Sequence, residues 1–310
     1  MLILTREEVQ QLLDPHELIN ALEEGFKALS AGQMNVPPRN QLASQKGVLL
    51  DMPAYMPGRH MSVKLVSIFH ENKNIPSHQA VIALVNSETG TPLALMDGTY
   101  ITGLRTAAST LISIQLLARK NIKEVAIIGA GVQGGAHLRM IGTLSGVEKI
   151  WVTSMDMAEA RALTARDSRA LLADSVQQAV SNADVLCLCT SSPTPVIAAG
   201  WLKKGVHISS VGYNPPGGEL PRSIIENSQL FVESKRAFEP PPSGSAELQG
   251  LSPEAGTELG EVLLKVRPGR RSDEETTVYK SMGHAIEDLV AANLVYEKAL
   301  EMKIGKVVEL

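Results

Sequence analysis

The segment Glu124-Val125-Ala126-Ile127-Ile128-Gly129-Ala130-Gly131-Val132-Gln133-Gly134 constrains this chain more than any other. Its apolar, β-branched start reads as a buried strand, and residues 135–141 read as a helix. Three glycines spaced G-x-G-x-x-G lie between them, the setting that a dinucleotide fingerprint requires. Gly129 permits the sharp turn, Gly131 has no Cβ to block a pyrophosphate, and Gly134 lets the helix pack close to the strand. The N–H groups at the helix start, around Val132 and Gln133, then face the phosphates with the helix dipole behind them.

Beyond this motif the pattern alternates. Residues 149–153, 185–190, 207–211 and 229–232 read as strands, and 158–165 and 174–181 as helices. Such alternation implies a doubly wound parallel sheet with the cofactor across the carboxyl ends of its strands, where Thr190 and Val211 stand. Residues 239–245, Glu-Pro-Pro-Pro-Ser-Gly-Ser, read as an exposed loop by composition.

Before the motif the pattern differs. Thr5 and Glu8 have the spacing of a capping box, and Asp14-Pro15 opens a second helix with Leu18, Ile19, Leu22 and Phe26 on one face. Residues 48–50, 61–67 and 80–85 read as strands of a partly antiparallel sheet, and 86–90 as a hairpin turn into 91–97. A long helix is expected from Thr99 or Thr102 to Arg119, and a last one over 282–302. The fingerprint sits in mid-chain. The expected fold class is therefore α/β, with a Rossmann domain over 116–279 inserted in a smaller α+β domain made of 1–115 and 280–310.

Composition excludes several function classes. A net charge of −4 over 310 residues advertises no basic face for nucleic acid. No apolar run approaches the ~18 residues that span a bilayer, and the first residues lack the basic start and apolar core of a signal peptide. Cys187 and Cys189, two apart in a strand, point to one face and read as core residues. The seven histidines show no H-x-x-H spacing, so no metal is expected. A cytoplasmic protein is expected.

Three cations in the smaller domain stand out. Arg39 follows Pro37-Pro38 in a loop, Lys64 lies inside an otherwise apolar strand, and Arg105 lies in Thr102-Gly103-Leu104-Arg105, read as the first turns of a helix. A cation at a helix start opposes the dipole unless it serves something, and guanidinium plus helix terminus make a carboxylate clamp. A desolvated lysine has a lowered pKa and suits proton transfer. The plainer reading pairs each cation with a carboxylate or points it at solvent. Asp97, just before Gly98, reads as a turn or cap residue. An acidic residue about 20 positions after the third glycine marks NAD. Here Thr153 and Ser154 end the strand and Asp156 comes slightly late. Hydroxyls do not repel a 2′-phosphate, which inclines the reading towards NADP rather than NAD.

These pieces converge. Met52-Pro53-Ala54, Val63-Lys64-Leu65, Gly103-Leu104-Arg105-Thr106-Ala107-Ala108, the glycine turn, Val211-Gly212, Glu258-Leu259-Gly260-Glu261-Val262 and residues 276–288 together resemble the ornithine cyclodeaminase/mu-crystallin family nearly end to end. That family also includes archaeal-type alanine dehydrogenase and ketimine reductases. The resemblance implies a homodimer built through the substrate domain, a Rossmann domain holding NAD(P), and a pocket in which Arg39, Lys64 and Arg105, with Met52 beside them, grip an amino or imino acid carboxylate. One position departs from the cyclodeaminases, which carry a catalytic aspartate two residues after the glycine matching Gly212. Here Asn214 stands there, and an amide cannot act as a carboxylate base. The loop before Glu219 is also one residue short. The expected activity is therefore reduction of a small cyclic ketimine carboxylate, with Lys64 and Asn214 as catalytic groups. The alternatives are a lyase of the family (ornithine cyclodeaminase or a hydroxyproline dehydratase), an alanine dehydrogenase, or a mu-crystallin-like binding protein.

Overall fold

The computed structural model describes residues 1–309, and its contacts divide the chain into two units. One combines Met1–Arg105 with the segment from His284 onward, and the other is Thr106–Gly283.

The chain opens with β1 (Leu2–Leu4), α1 (Arg6–Leu12) and α2 (Pro15–Ser30). Thr5 and Glu8 close a capping box on α1, each side chain accepting from the other's backbone N–H. Asp14 accepts from the N–H groups of His16 and Glu17 at the start of α2, where Pro15 presets the first turn. Five strands follow in an antiparallel meander: β2 (Asn40–Ala43), β3 (Val48–Ala54), β4 (Met61–Ile68), β5 (His78–Val85) and β6 (Pro92–Asp97). β1 joins parallel to β6.

The period of two sets what each face carries. On one face Met52, Lys64, Ile82, Met96 and Leu4 stand in register across five strands, all buried. On the other, Pro53, Val63, Ala83, Leu95 and Ile3 form a second row, with Leu65 and Val81 paired beside it and about two-fifths exposed.

Next comes α3 (Gly98–Leu117), whose Tyr100 N–H donates to Asp97 Oδ1 at 2.7 Å. Asp97 thus starts the helix earlier than Thr99 or Thr102. Arg105 falls about two turns inside it rather than at its start. The dipole argument applied to Arg105 therefore does not hold.

In the second unit the order is β7 (Glu124–Ile128), α4 (Val132–Ile141), β8 (Lys149–Thr153), α5 (Met157–Thr164), β9 (Ala170–Leu172), α6 (Val176–Ser181), β10 (Val185–Leu188), β11 (His207–Ser210), α7 (Arg222–Glu226), β12 (Gln229–Val232), β13 (Gly256–Glu258), α8 (Leu259–Leu263) and β14 (Thr277–Lys280). The eight strands are parallel in the order β13-β12-β14-β11-β10-β7-β8-β9. Counted from β7, the run β9-β8-β7-β10-β11 is the 3-2-1-4-5 part of the doubly wound order, and β14, the last strand of the unit, takes the sixth place between β11 and β12. Successive residues feed two cores: Val125, Ile127, Val185 and Cys187 one, Ala126, Ile128, Leu186 and Leu188 the other. Such strands are apolar throughout because both faces are covered.

Two sequence expectations change here. Residues 277–280 were not read as a strand, yet β14 lies between β11 and β12 with all four residues buried. Residues 239–245 are not an exposed loop. Gly244 N donates to Pro240 O and Ser245 N to Ala237 O, Gln249 Nε2 reaches Glu239 O and Ser245 O, and Ser245 is buried. Backbone groups satisfied internally let a proline-rich turn fold down on the unit.

The chain then returns to the first unit with α9 (Ala285–Met302), which lies on α2 and over the buried face of β3, β4 and β5, and ends with β15 (Lys306–Val307) antiparallel to β1. The architecture is α/β, a Rossmann domain in mid-chain and a smaller α+β domain built from both ends. Among the described residues no helix is long and apolar enough to cross a membrane.

Candidate active site

In the first unit the pleat of β4 aims Lys64 inward, and α9 covers it. Lys64 is 1% exposed, and its Nζ lies 2.7 Å from Asp288 Oδ2. The contact is an ion pair without a well-aligned hydrogen bond at that oxygen. Asp288 Oδ1 accepts from Arg105 Nε at 3.2 Å, and Glu287 Oε2 from Arg105 Nη1 at 3.1 Å. Both carboxylates are fully buried in the first turn of α9, where the dipole favours negative charge. Glu287 Oε1 also accepts from His284 N, closing a capping box.

Burial pushes the Lys64 ammonium down from its ordinary value to about 8. Asp288 opposes the shift, while Arg105 and the half-buried Arg39 reinforce it. The structure thus brings Arg39 and Arg105 each within electrostatic reach of Lys64, with Met52 opposite Lys64 on β3. Lys64 and Arg105 also meet the plainer expectation, since each pairs with a carboxylate. Sequence reasoning missed those carboxylates. Their signal was two adjacent acids, Glu287 and Asp288, inside the otherwise apolar helix start Ala285-Ile286-Leu289-Val290.

In the second unit each glycine of the turn has its own geometry. Gly129 has φ +104°, and a Cβ there would stand 2.5 Å from Cys189 O. A Cβ on Gly134 would stand 2.0 Å from Gly129 O, so only glycine lets α4 approach β7 this closely. A Cβ on Gly131 would meet nothing within 4 Å. That open space adjoins the first N–H groups of α4, which have no partner within the helix. Gln133 Oε1 is buried without a hydrogen-bond partner. Open space and oriented N–H groups fit a dinucleotide pyrophosphate, while the orphaned Gln133 oxygen, which only accepts, fits a donor such as a ribose hydroxyl.

At the end of β8, Thr153 O accepts from Gly129 N at 2.8 Å, Ser154 is half-buried and Met155 is fully exposed. Asp156 is engaged as the cap of α5, accepting from Ala158 N and Glu159 N. Thr190 follows β10 and Val211 follows β11, and Val211 N donates to Leu188 O. Asn214 donates to Ser191 O at 2.6 Å and bridges to Gly217. A cavity of about 830 Å³ in this unit lies at the amino ends of the strands, lined by Arg119, Lys123, Asp184, Lys203 and Arg270 among others. None of the sequence-predicted residues lines it. Among the described residues no cluster of His, Cys, Asp and Glu is placed to hold a metal ion.

The family model for "ornithine cyclodeaminase/mu-crystallin family" matches residues 1–303. The chain is 35% identical to an alanine dehydrogenase of Archaeoglobus fulgidus, covering 98% of this chain and 97% of that one. It is 33% identical to a Δ1-pyrroline-2-carboxylate reductase of Bacillus cereus over the full length of both. A solved structure of Thermococcus litoralis Δ1-pyrroline-2-carboxylate reductase, in complex with NADH and L-proline, superposes with a TM-score of 0.94 at 34% identity, covering 99% of this chain and 100% of that one.

Proposed function

This chain belongs to the ornithine cyclodeaminase/mu-crystallin family, and from that premise we propose that it is an NAD(P)H-dependent reductase of a small cyclic ketimine carboxylate. The substrate is Δ1-pyrroline-2-carboxylate or its six-membered analogue Δ1-piperideine-2-carboxylate, and the product L-proline or L-pipecolate. The unit that holds Lys64 binds the substrate, and the unit that holds the glycine turn binds the dinucleotide through Gly129, Gly131, Val132, Gln133 and Gly134, with Thr153, Ser154, Thr190 and Val211 at strand ends. The observation that carries the reading is Lys64 itself, a fully buried amine held near 8 beside Arg105 and Arg39.

When bound, the reduced nicotinamide supplies a hydride to the imine carbon. Arg39 and Arg105 fix the substrate carboxylate, and Asp288 and Glu287 hold the Arg105 guanidinium in one orientation. Lys64 Nζ gives a proton to the ring nitrogen, so hydride and proton together saturate the C=N bond and leave a neutral amine. An acid with a pKa near the working pH does this best. Met52 supplies apolar wall, and Asn214 orients the ring or a water. An amide at 214 supplies no carboxylate for the base chemistry of a lyase.

The test is to follow oxidation of NADH and NADPH with each cyclic ketimine and with pyruvate plus ammonia, and ammonia release from ornithine separately. Net cofactor oxidation fastest with a cyclic ketimine is expected. Faster oxidation with pyruvate and ammonia favours the alanine dehydrogenase reading, to which the 35% identity lends weight. Ammonia from ornithine without net oxidation favours a lyase, and either result overturns the proposal.

The same reading makes the protein a cytoplasmic homodimer. The outward row Pro53, Val63, Ala83, Leu95 and Ile3 suits an apolar face covered by a second copy. A monomer mass by light scattering overturns that part.

A further inference from the structure

We infer that Glu219 is a positioning residue for the nicotinamide half of the dinucleotide, an inference that rests on the dinucleotide reading above. Glu219 is fully buried, and four donors converge on its carboxylate. Oε2 accepts from Thr190 N at 2.8 Å and Thr190 Oγ1 at 2.7 Å. Oε1 accepts from Ser210 Oγ at 2.8 Å and Gly212 N at 2.7 Å. Thr190 lies just past β10, and Ser210 and Gly212 lie at and past the end of β11, its parallel neighbour. One carboxylate therefore ties two adjacent strands together at their carboxyl ends. Counted from β7, these are strands four and five, in the second mononucleotide half of a doubly wound sheet. The glycine turn serves the first half.

The tie is built rather than incidental. A Cβ on Gly212 would lie 2.5 Å from Glu219 Cδ, so the backbone there leaves the carboxylate its room. The peptide at 212 is held from both sides, because Lys280 Nζ donates to Gly212 O at 2.7 Å. Lys280 also donates to Ser210 Oγ at 3.1 Å and pairs with Glu247 at 2.5 Å. An ammonium only donates, so the Ser210 proton must point to Glu219. Glu247 in turn accepts from Leu220 N, the residue after Glu219. The relay Glu219–Ser210–Lys280–Glu247 thus clamps both ends of the 212–219 loop, which carries Asn214.

The test is Glu219→Gln. Whichever way the amide is turned, its NH₂ meets a backbone N–H, that of Thr190 or that of Gly212, and neither can accept. NADH and ADP-ribose share the adenosine diphosphate half, and only NADH carries nicotinamide. In E219Q the Kd for NADH is expected to rise by about tenfold or more, with the Kd for ADP-ribose within about twofold of wild type. Ser210→Ala removes one hydroxyl and leaves both backbone bonds to Glu219. It should show the same selective loss at about threefold, and it decides the matter if E219Q does not fold. Equal changes for both ligands, or none, overturn the inference. Wild-type protein that binds neither ligand overturns the dinucleotide reading itself, and this inference with it.

Discussion

Asp288→Asn is the sharpest perturbation of the proposed chemistry. It removes the one charge that holds the Lys64 ammonium up against burial and two arginines. Opposite charges about 4 Å apart interact by about 4 kcal/mol near a protein interior, equal to about 3 pH units. The asparagine keeps a polar contact to the ammonium, so a fall of about 2 units is expected, from near 8 to about 6. Lys64 acts in its protonated form, so the rate is lost as pH rises through its pKa. In kcat/KM for ketimine reduction, the alkaline limb should therefore move from near 8 to about 6. At pH 7 the variant should lose about tenfold and recover at lower pH. The variant also leaves Arg105 with one carboxylate instead of two, which should lower stability by about 3 kcal/mol. NADH affinity, read by fluorescence, serves as the control because the glycine turn belongs to the other unit. A limb that stays near 8 belongs to the substrate imine, and Lys64 is then not the acid.

Gly131→Ala and Gly134→Ala should separate binding from folding. The first places a methyl in open space, so thermal stability holds while the Kd for NADH rises by about tenfold or more. The second drives a methyl into Gly129 O and should cost about 2 kcal/mol or more in urea unfolding. If the two variants behave alike, the roles given to the glycines are wrong. Ser154→Asp should reverse any preference for NADPH by repelling the 2′-phosphate, read as the ratio of kcat/KM for the two cofactors. An unchanged ratio places the 2′-position elsewhere. Burial pushes the His137 and His207 imidazoles down to about 4 and about 3. Below the ordinary value of about 6.5 the unfolded chain takes up protons that the folded chain refuses, so stability falls as pH drops from about 6.5 towards these values. At pH 5 the loss is about 2 kcal/mol per histidine. His137→Asn with His207→Asn should flatten that slope in urea titrations, and an unchanged slope removes the histidines as its cause.

The sequence by itself determined the local pieces. The strand, the glycine turn and the helix after it are contiguous, so their spacing carries both conformation and purpose. The caps at Thr5 and Asp14 were legible for the same reason, as was the inward face of β4 with Lys64 among apolar neighbours. Tertiary structure decided what meets what. Arg105 and Asp288 stand 183 residues apart, and no local period announces that they share a hydrogen bond. β14 is four residues long and is a strand because β11 and β12 flank it, not because its own pattern insists. The four donors on Glu219 come from the ends of two strands, β10 and β11, that converge only when the parallel sheet forms. Short-range order follows from backbone geometry and side-chain period, both written along the chain. The pairing of buried charges follows from which surfaces the fold removes from water together, and that is settled in three dimensions.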